Sequence, residues 1–242
     1  MTADVSEVSA TAQPGPIGRA AQRPFRLPDG ATEVVLVRHG ASADAVAGKP
    51  FPLVDGRSDP QLSPDGERQA DAVAARLASE RIARLFITPL RRTARTAEPL
   101  AAASGLDVTV VADLAEVRLG DWEGGEYRIR ALNDDPLIKR VFAEERWDLI
   151  PNGEANESLA QRVRAGIETV VAATGPNALA VAVVHGAVIG EACRQATDSR
   201  PFAFVHSDNG SLTRLVVFPD GRWLLRSFNE VSHLAVLAGS PG

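Results

Sequence analysis

The chain has one cysteine in 242 residues, Cys193. A lone cysteine excludes an internal disulfide framework and any multi-cysteine metal site, and a reducing cytoplasm is the expected setting. No apolar run approaches the roughly 20 residues of a bilayer-spanning helix, and no charged-then-apolar signal pattern opens the chain; neither membrane association nor secretion by that route is expected. Lysine-rich blocks are missing and the formal net charge is −5. Nucleic acid is therefore a disfavoured partner, although a locally basic pocket remains open. The sequence lacks a His-Glu-x-x-His segment, a clustered Asp/His ligand spacing and a glycine-rich phosphate loop followed by lysine. No metal, no cofactor and no nucleotide-driven kinase chemistry are expected on that basis.

Histidine is scarce too, at four residues, yet two of the four occupy nearly the same setting. One ends Val34-Val35-Leu36-Val37-Arg38-His39-Gly40, and the other ends Val181-Ala182-Val183-Val184-His185-Gly186. Each apolar, β-branched run reads as a buried strand delivering an imidazole to its carboxyl end. The glycine allows a sharp turn or the close approach of a ligand. Open α/β sheets gather ligands at that edge, so two rings from neighbouring strands are expected to face one pocket.

The remaining composition, 45% apolar and 24% charged, is that of an ordinary globular protein. Residues 1–30 carry Pro14, Pro16, Pro24 and Pro28 without periodicity and read as a disordered tail. Residues 31–238 alternate strands with helices. Strands are expected at 33–37, 85–87, 108–111 and 179–184. Ser63-Pro64 marks an N-cap with proline at the first helical position, and Ala70, Val73, Ala74 and Leu77 form its apolar stripe. A second helix runs from Thr88-Pro89 towards Leu100, with Pro99 expected to bend or shorten it. A third places Leu159, Val163, Ile167, Val170 and Val171 on one face, and a fourth starts near Val188. Pro219-Asp220-Gly221 joins a hairpin of 212–218 and 223–228. The fold expected is α/β, a three-layer α/β/α sandwich with a mainly parallel sheet and one antiparallel edge. Between 127 and 151 the texture turns to mixed charge with Phe142, Trp147 and Ile150, and reads as an inserted lid. Its Arg128, Arg130, Lys139, Arg140 and Arg146 form either a basic lid for small polyanionic esters or a solvated helical face.

Arg38 adjoins His39 at a strand end, and the two side chains converge only where the strand breaks, since neighbours in extended chain point to opposite faces. Arg91, Arg92 and Arg95 cluster at a helix start, where cations are locally unfavourable and a bound anion would relieve them. Arg91 and Arg95 also fit solvated surface or ion pairs. Glu116 follows a strand in a glycine-rich turn, where it is either a chemical group or a turn cap.

Together these segments resemble the histidine phosphatase superfamily, which includes cofactor-dependent phosphoglycerate mutases. Arg38-His39-Gly40 is similar to its R-H-G signature. Asp59, Leu62-Ser63, Gly66 and Gln69-Ala70 are similar to D-x-x-L-S/T-x-x-G-x-x-Q-A. Thr88, Leu90, Arg92 and Thr96-Ala97 are similar to S-x-L-x-R-x-x-x-T-A. Glu116, Gly120, Trp122, Glu123 and Gly124 are similar to E-x-x-x-G-x-W-E-G, and Glu157-Ser158-Leu159 and Val184-His185-Gly186 follow in order. The resemblance spans about 33–228 and implies a phosphoglycerate mutase-like fold. It implies that His39 is the nucleophile of a phosphohistidine, that Arg38, Arg92 and His185 hold the phosphoryl oxygens, and that Glu116 is general acid and base. Ser42, retained from an E/Q-S/T-x-x-N pattern that Ala41 and Ala45 otherwise break, and the peptide N–H at Ala187 are further candidates for the anion cradle. The chemistry is consistent: a neutral imidazole attacks, guanidiniums fork onto phosphoryl oxygens, and a carboxyl protonates the leaving alkoxide.

The implied activity is metal-independent hydrolysis of a small phosphorylated metabolite. A mutase is the nearest rival, although mutases typically carry E-R-H-Y where this chain has Glu116-Val117-Arg118-Leu119. A non-catalytic phospho-ligand binder is the alternative of another class. A homodimer is implied only by the family. Trp122 reads as packing, Asp121 and Glu123 as turn-orienting, Cys193 as core, His206 and His233 as surface, and Asn209-Gly210 as a plain turn.

Overall fold

The segment Val34-Val35-Leu36-Val37 is apolar on both faces, which suits a strand covered from both sides. In the computed structural model, which describes residues 22–238, it forms the centre of β1 (Thr32–Arg38) in the interior of a six-stranded sheet. Strand order is β5-β4-β6-β1-β7-β8, where β4 is Ile82–Ile87, β5 Val108–Val110, β6 Ala178–Val184, β7 Leu212–Val217 and β8 Trp223–Glu230. Strands β5, β4, β6 and β1 pair in parallel, and β7 runs antiparallel to both β1 and β8.

Alternation along the central strands divides the core into two layers. Val35, Val37, Val181 and Val183 pack on Val73, Leu77, Ala97 and Leu100, from α1 (Pro64–Leu77) and α2 (Arg91–Ser104). Val34, Leu36, Ala182 and Val184 meet Val163, Ile167, Val188 and Ile189, from α5 (Asn156–Thr174) and α6 (Gly186–Thr197). Each fully buried Val, Leu or Ile contributes about 1.5–3 kcal/mol. This is the three-layer sandwich expected from the alternating pattern.

Boundaries moved by a few residues where side-chain chemistry competes with periodicity. Pro99 lies inside α2 without ending it, because Thr96, Ala97 and Leu100 hold that face on the sheet. Helix α6 begins at Gly186 rather than near Val188, since His185 itself is the extended cap residue. The long connection 41–59 holds a small hairpin, β2 (Leu53–Val54) and β3 (Arg57–Ser58). The segment read as a lid folds into α3 (Glu126–Leu132), α4 (Pro136–Glu144) and a 3-10 turn at Trp147–Leu149. Of the expected tail, residues 1–21 lie outside the described residues. Within 22–30, Arg226 stacks over the Phe25 ring at 3.7 Å and Gly30 N donates to Asn177 Oδ1 at 2.8 Å. Among the described residues no helix is long and apolar enough to cross a membrane.

The Leu62-Ser63…Gly66…Gln69 block has a mechanical purpose. Ser63 Oγ accepts from Gly66 N at 3.1 Å and caps α1. Ser63 N donates to Ala41 O at 2.9 Å, and Ala41 N donates to Gln69 Oε1 at 2.8 Å. A Cβ on Gly66 would lie 1.9 Å from Ala41 O, and one on Gly40 would lie 2.4 Å from Gly66 O. Both glycines are thus required for close backbone contact between α1 and the loop after β1. Ser63→Ala is expected to cost about 1 kcal/mol, read as a lowered midpoint in thermal denaturation.

Candidate active site

Register brings the two imidazoles together. Arg38 lies opposite Val184 in the parallel β1–β6 ladder, and His39 N donates to Val184 O at 3.0 Å. The next residues, His39 and His185, therefore emerge side by side at the carboxyl edge. Their ring centroids are 5.1 Å apart at 61°. His39 lines a cavity of about 370 Å³. His185 has no exposed surface and lies behind that ring rather than facing it across the cavity.

Hydrogen bonding settles the His39 tautomer. Nδ1 lies 2.8 Å from Gly40 O, a group that only accepts, so Nδ1 carries the proton. Nε2 keeps its lone pair and accepts from Arg92 Nε at 3.1 Å. Burial, then Arg92 and Arg38, holds this imidazole well below the usual range, against the opposing pull of the Gly40 hydrogen bond. His185 is likewise depressed by burial, then by Arg92 and His39; its Nε2 shares a hydrogen bond with Thr88 Oγ1 at 2.9 Å. Both rings are neutral at physiological pH.

The arginines divide as their surroundings require. Arg92 is 6% exposed, donates from Nη1 to Ser58 O at 2.7 Å, and is lowered by burial to about 10, so it stays charged. Arg91 turns outward to Asp59, whose carboxylate accepts from Arg91 N at 2.8 Å and Arg91 Nε at 2.7 Å. The anion expected at this helix start is thus Asp59 of the chain itself. Arg95 pairs with Glu67 and Glu98. Arg38 turns to the α6 side, bonds through Nη1 to Ser207 O, and has its pKa lowered by burial.

Glu116 lines the same cavity, its Oε1 accepting from Val117 N at 3.0 Å and Ala187 N at 3.3 Å. The predicted cradle N–H at Ala187 is thus turned to the Glu116 carboxylate. The loop that carries Glu116 is strapped on several sides. Its carbonyl accepts from Arg57 Nε at 2.5 Å and Arg162 Nη2 at 3.2 Å. Glu154 accepts from Arg118 N at 3.0 Å and Arg162 Nε at 2.6 Å. Glu123 accepts from Leu119 N and from both N and Oγ of Ser58, as its turn-orienting reading requires.

Ser42 does not line the cavity; its Oγ accepts from Arg128 Nη2 at 2.7 Å, and Arg128 also holds Ala43 O at 3.0 Å. Of the five lid cations only Arg128 reaches the cavity. The others pair with neighbouring carboxylates, which favours the solvated-face reading for them. Trp122 is buried as packing and also lines the cavity. His206 also lines it, on an exposed residue. His233 is half-buried and bonds to Gly210 O at 3.0 Å.

Four residues that hold the site together escaped sequence reasoning, apart from the cavity lining itself. Arg57 and Arg162 bear on the Glu116 loop from a remote hairpin and a remote helix, and neither has a local signal. Asn209 holds His39 O through Nδ2 at 2.8 Å; its place in an Asn-Gly turn hid that role. Thr88 was visible as a motif position, but its bond to His185 was not. Thr88→Val is expected to leave His185 Nε2 unpaired and cost about 1–3 kcal/mol, with Thr88→Ser near wild type in urea denaturation.

Similarity to known proteins agrees with this geometry. A bifunctional protein of Mycobacterium tuberculosis is 30% identical over 237 residues, 96% of this chain and 62% of its own length. The chain thus spans under two thirds of that relative. Phosphoglycerate mutase-like protein 4 of Arabidopsis thaliana is 31% identical over 207 residues, 84% of this chain and 86% of its own. A mycobacterial glucosyl-3-phosphoglycerate phosphatase structure has a TM-score of 0.67 at 28% identity, covering 82% of this chain and 99% of that one. Phosphoserine phosphatase of Entamoeba histolytica, in complex with 3-phosphoglyceric acid, has a TM-score of 0.65 at 25% identity, covering 84% and 99%. The family model of the histidine phosphatase superfamily (branch 1) matches residues 34–231. That match starts inside β1 and ends just past β8, so it takes in the whole sheet, and the chain belongs to the histidine phosphatase superfamily, branch 1.

Proposed function

We propose that the chain hydrolyses small phosphate monoesters through a phosphohistidine on His39, without a metal. The observation that carries this reading is the His39 ring: Nδ1 donates to Gly40 O, and Nε2 keeps a lone pair beside Arg92. Arg38 Nε adds support, since it is buried without a hydrogen-bond partner among the described residues and Arg38 lines the cavity. A phosphoryl oxygen would give it one.

In the first step the phosphoryl oxygens take up guanidinium N–H groups, freeing the Nε2 lone pair to attack phosphorus. The bond from phosphorus to the alcohol oxygen breaks, and the Glu116 carboxyl gives its proton to that oxygen. Water then attacks phosphorus, Glu116 takes back a proton, and phosphate leaves with the P–N bond broken. The permanent charges of Arg38 and Arg92 stabilise the transferring group throughout.

Solved relatives named for glucosyl-3-phosphoglycerate and phosphoserine make small phosphorylated metabolites the substrates to try first. The test is rapid quenching during turnover of a labelled phosphomonoester. An acid-labile, base-stable phosphoryl adduct on the peptide bearing His39 is expected. An adduct on another side chain, or turnover with no adduct at all, overturns the reading. Interconversion of phosphoglycerate isomers without phosphate release would instead make the protein a mutase.

A further inference from the structure

Aromatic residues are few here: eight Phe, three Trp and one Tyr. Nearly half of them, Phe51, Trp122, Tyr127, Phe142 and Trp147, line the single cavity that holds His39. Four of these, with His206, form a continuous strip. Ring centroids lie 6.3 Å apart for Trp122–Tyr127, 6.5 Å for Tyr127–Trp147 and 6.4 Å for Trp147–Phe142. His206 then stacks on Phe142 at 5.4 Å and 10°. Arg130 braces the indole of Trp122 with its guanidinium 5.1 Å from the ring, while its own charge is met by Glu126 and Asp135. The strip is assembled from the turn at Gly120–Trp122, the lid and the loop before β7, so separate segments converge on one surface.

Two further cations of the cavity lining are held by neutral acceptors of the chain. Arg128 holds Ser42 Oγ and Ala43 O, and Arg57 holds Glu116 O. The cavity therefore has a cationic floor at Arg38 and Arg92 beside the neutral His39 ring, and a wall rich in aromatic side chains. A phosphoryl group fits the first, and a flat or ring-shaped carbon skeleton fits the second.

We infer that the wall from Trp122 to His206 binds the alcohol half of the ester and selects phosphomonoesters whose alcohol carries a ring with an apolar face. This rests on the proposed reading of the cavity as a phosphate-ester site. Sugar and aryl rings share the required chemistry, since each presents C–H or π surface to aromatic side chains. Phe142 and His206 are the specificity-determining residues, because they form the outer end of the strip.

Binding of non-hydrolysable phosphonates tests this without requiring turnover. By calorimetry on the wild-type chain, benzylphosphonate is expected to bind roughly threefold to tenfold more tightly than methylphosphonate. In Phe142→Ala, and in the exposed variant His206→Ala, the ratio of the two affinities is expected to fall towards one. Comparing the two ligands within one variant separates the wall from any general loss of folded protein. Glucose 6-phosphate and benzyl phosphate, run against glycerol phosphate as substrates, distinguish a sugar from an aryl preference. Equal affinity for the two phosphonates, binding of neither, or a ratio unchanged in both variants overturns the inference. Tighter benzylphosphonate binding with no turnover of any ester would sink the hydrolase reading and leave the wall intact.

Discussion

Alanine at position 39 lowers turnover of a generic aryl phosphate by at least about 10⁴-fold, as expected for loss of a covalent nucleophile. No neighbouring group can replace it. His185, beside it at this edge, is shut from solvent behind His39 with its Nε2 committed to Thr88, and His206 sits on Phe142 at the outer end of the aromatic strip. The surviving floor of Arg38 and Arg92 would still bind the phosphate ester, so the loss falls on kcat rather than on KM. His185→Ala is expected to cost less, about 10²-fold, because it acts by positioning the His39 ring that it packs against. Steady-state rates for both variants, with circular dichroism to confirm folding, check the pair. More than about 1% of wild-type kcat in His39→Ala would be incompatible with attack by Nε2.

Acidification below about pH 6.5 is expected to destabilise the fold through His39 and His185. Both rings are held well below the ordinary imidazole value of 6.5, chiefly by burial. The unfolded chain takes up protons below 6.5 that the folded chain refuses. Stability therefore is full above that value and declines as pH falls towards the depressed folded values. Each ring contributes up to about 1.4 kcal/mol per pH unit within the window. Urea unfolding at several pH values measures the slope. The double variant His39→Gln, His185→Gln is expected to flatten it, whereas a flat wild-type profile, or an undiminished slope in the variant, would show that the rings are not held neutral.

Much of the site was legible because its parts are local. A β-branched run ending in His-Gly announces a buried strand with an imidazole at its end, and Ser63-Pro64 announces a capped helix. Periodicity of two and of 3.6 separated the strands from the helices, and the alternation of the two implied the layers. Sequence left alternatives open where the partner of a charged or polar group could not be read. Cations at the start of α2 suggested a bound anion, yet the partner is Asp59, 32 residues before Arg91. Of the two readings of the lid cations, the solvated face holds for those in i,i+4 and neighbouring ion pairs, and Arg128 reaches the cavity. Ser42 was placed against substrate and in fact holds that arginine.

The order of strands and helices, the apolar faces and the identity of the reactive groups were contained in the linear chain, because they depend on side-chain type and short-range spacing. Tertiary structure alone decided which ring faces the cavity, which arginines are free to meet it, and which aromatics form its wall. Those outcomes depend on the β1–β6 register and on contacts such as Arg162 with Glu116 O and Asn209 with His39 O. Such contacts bridge 46 to 170 residues, a separation at which sequence spacing carries no geometric information.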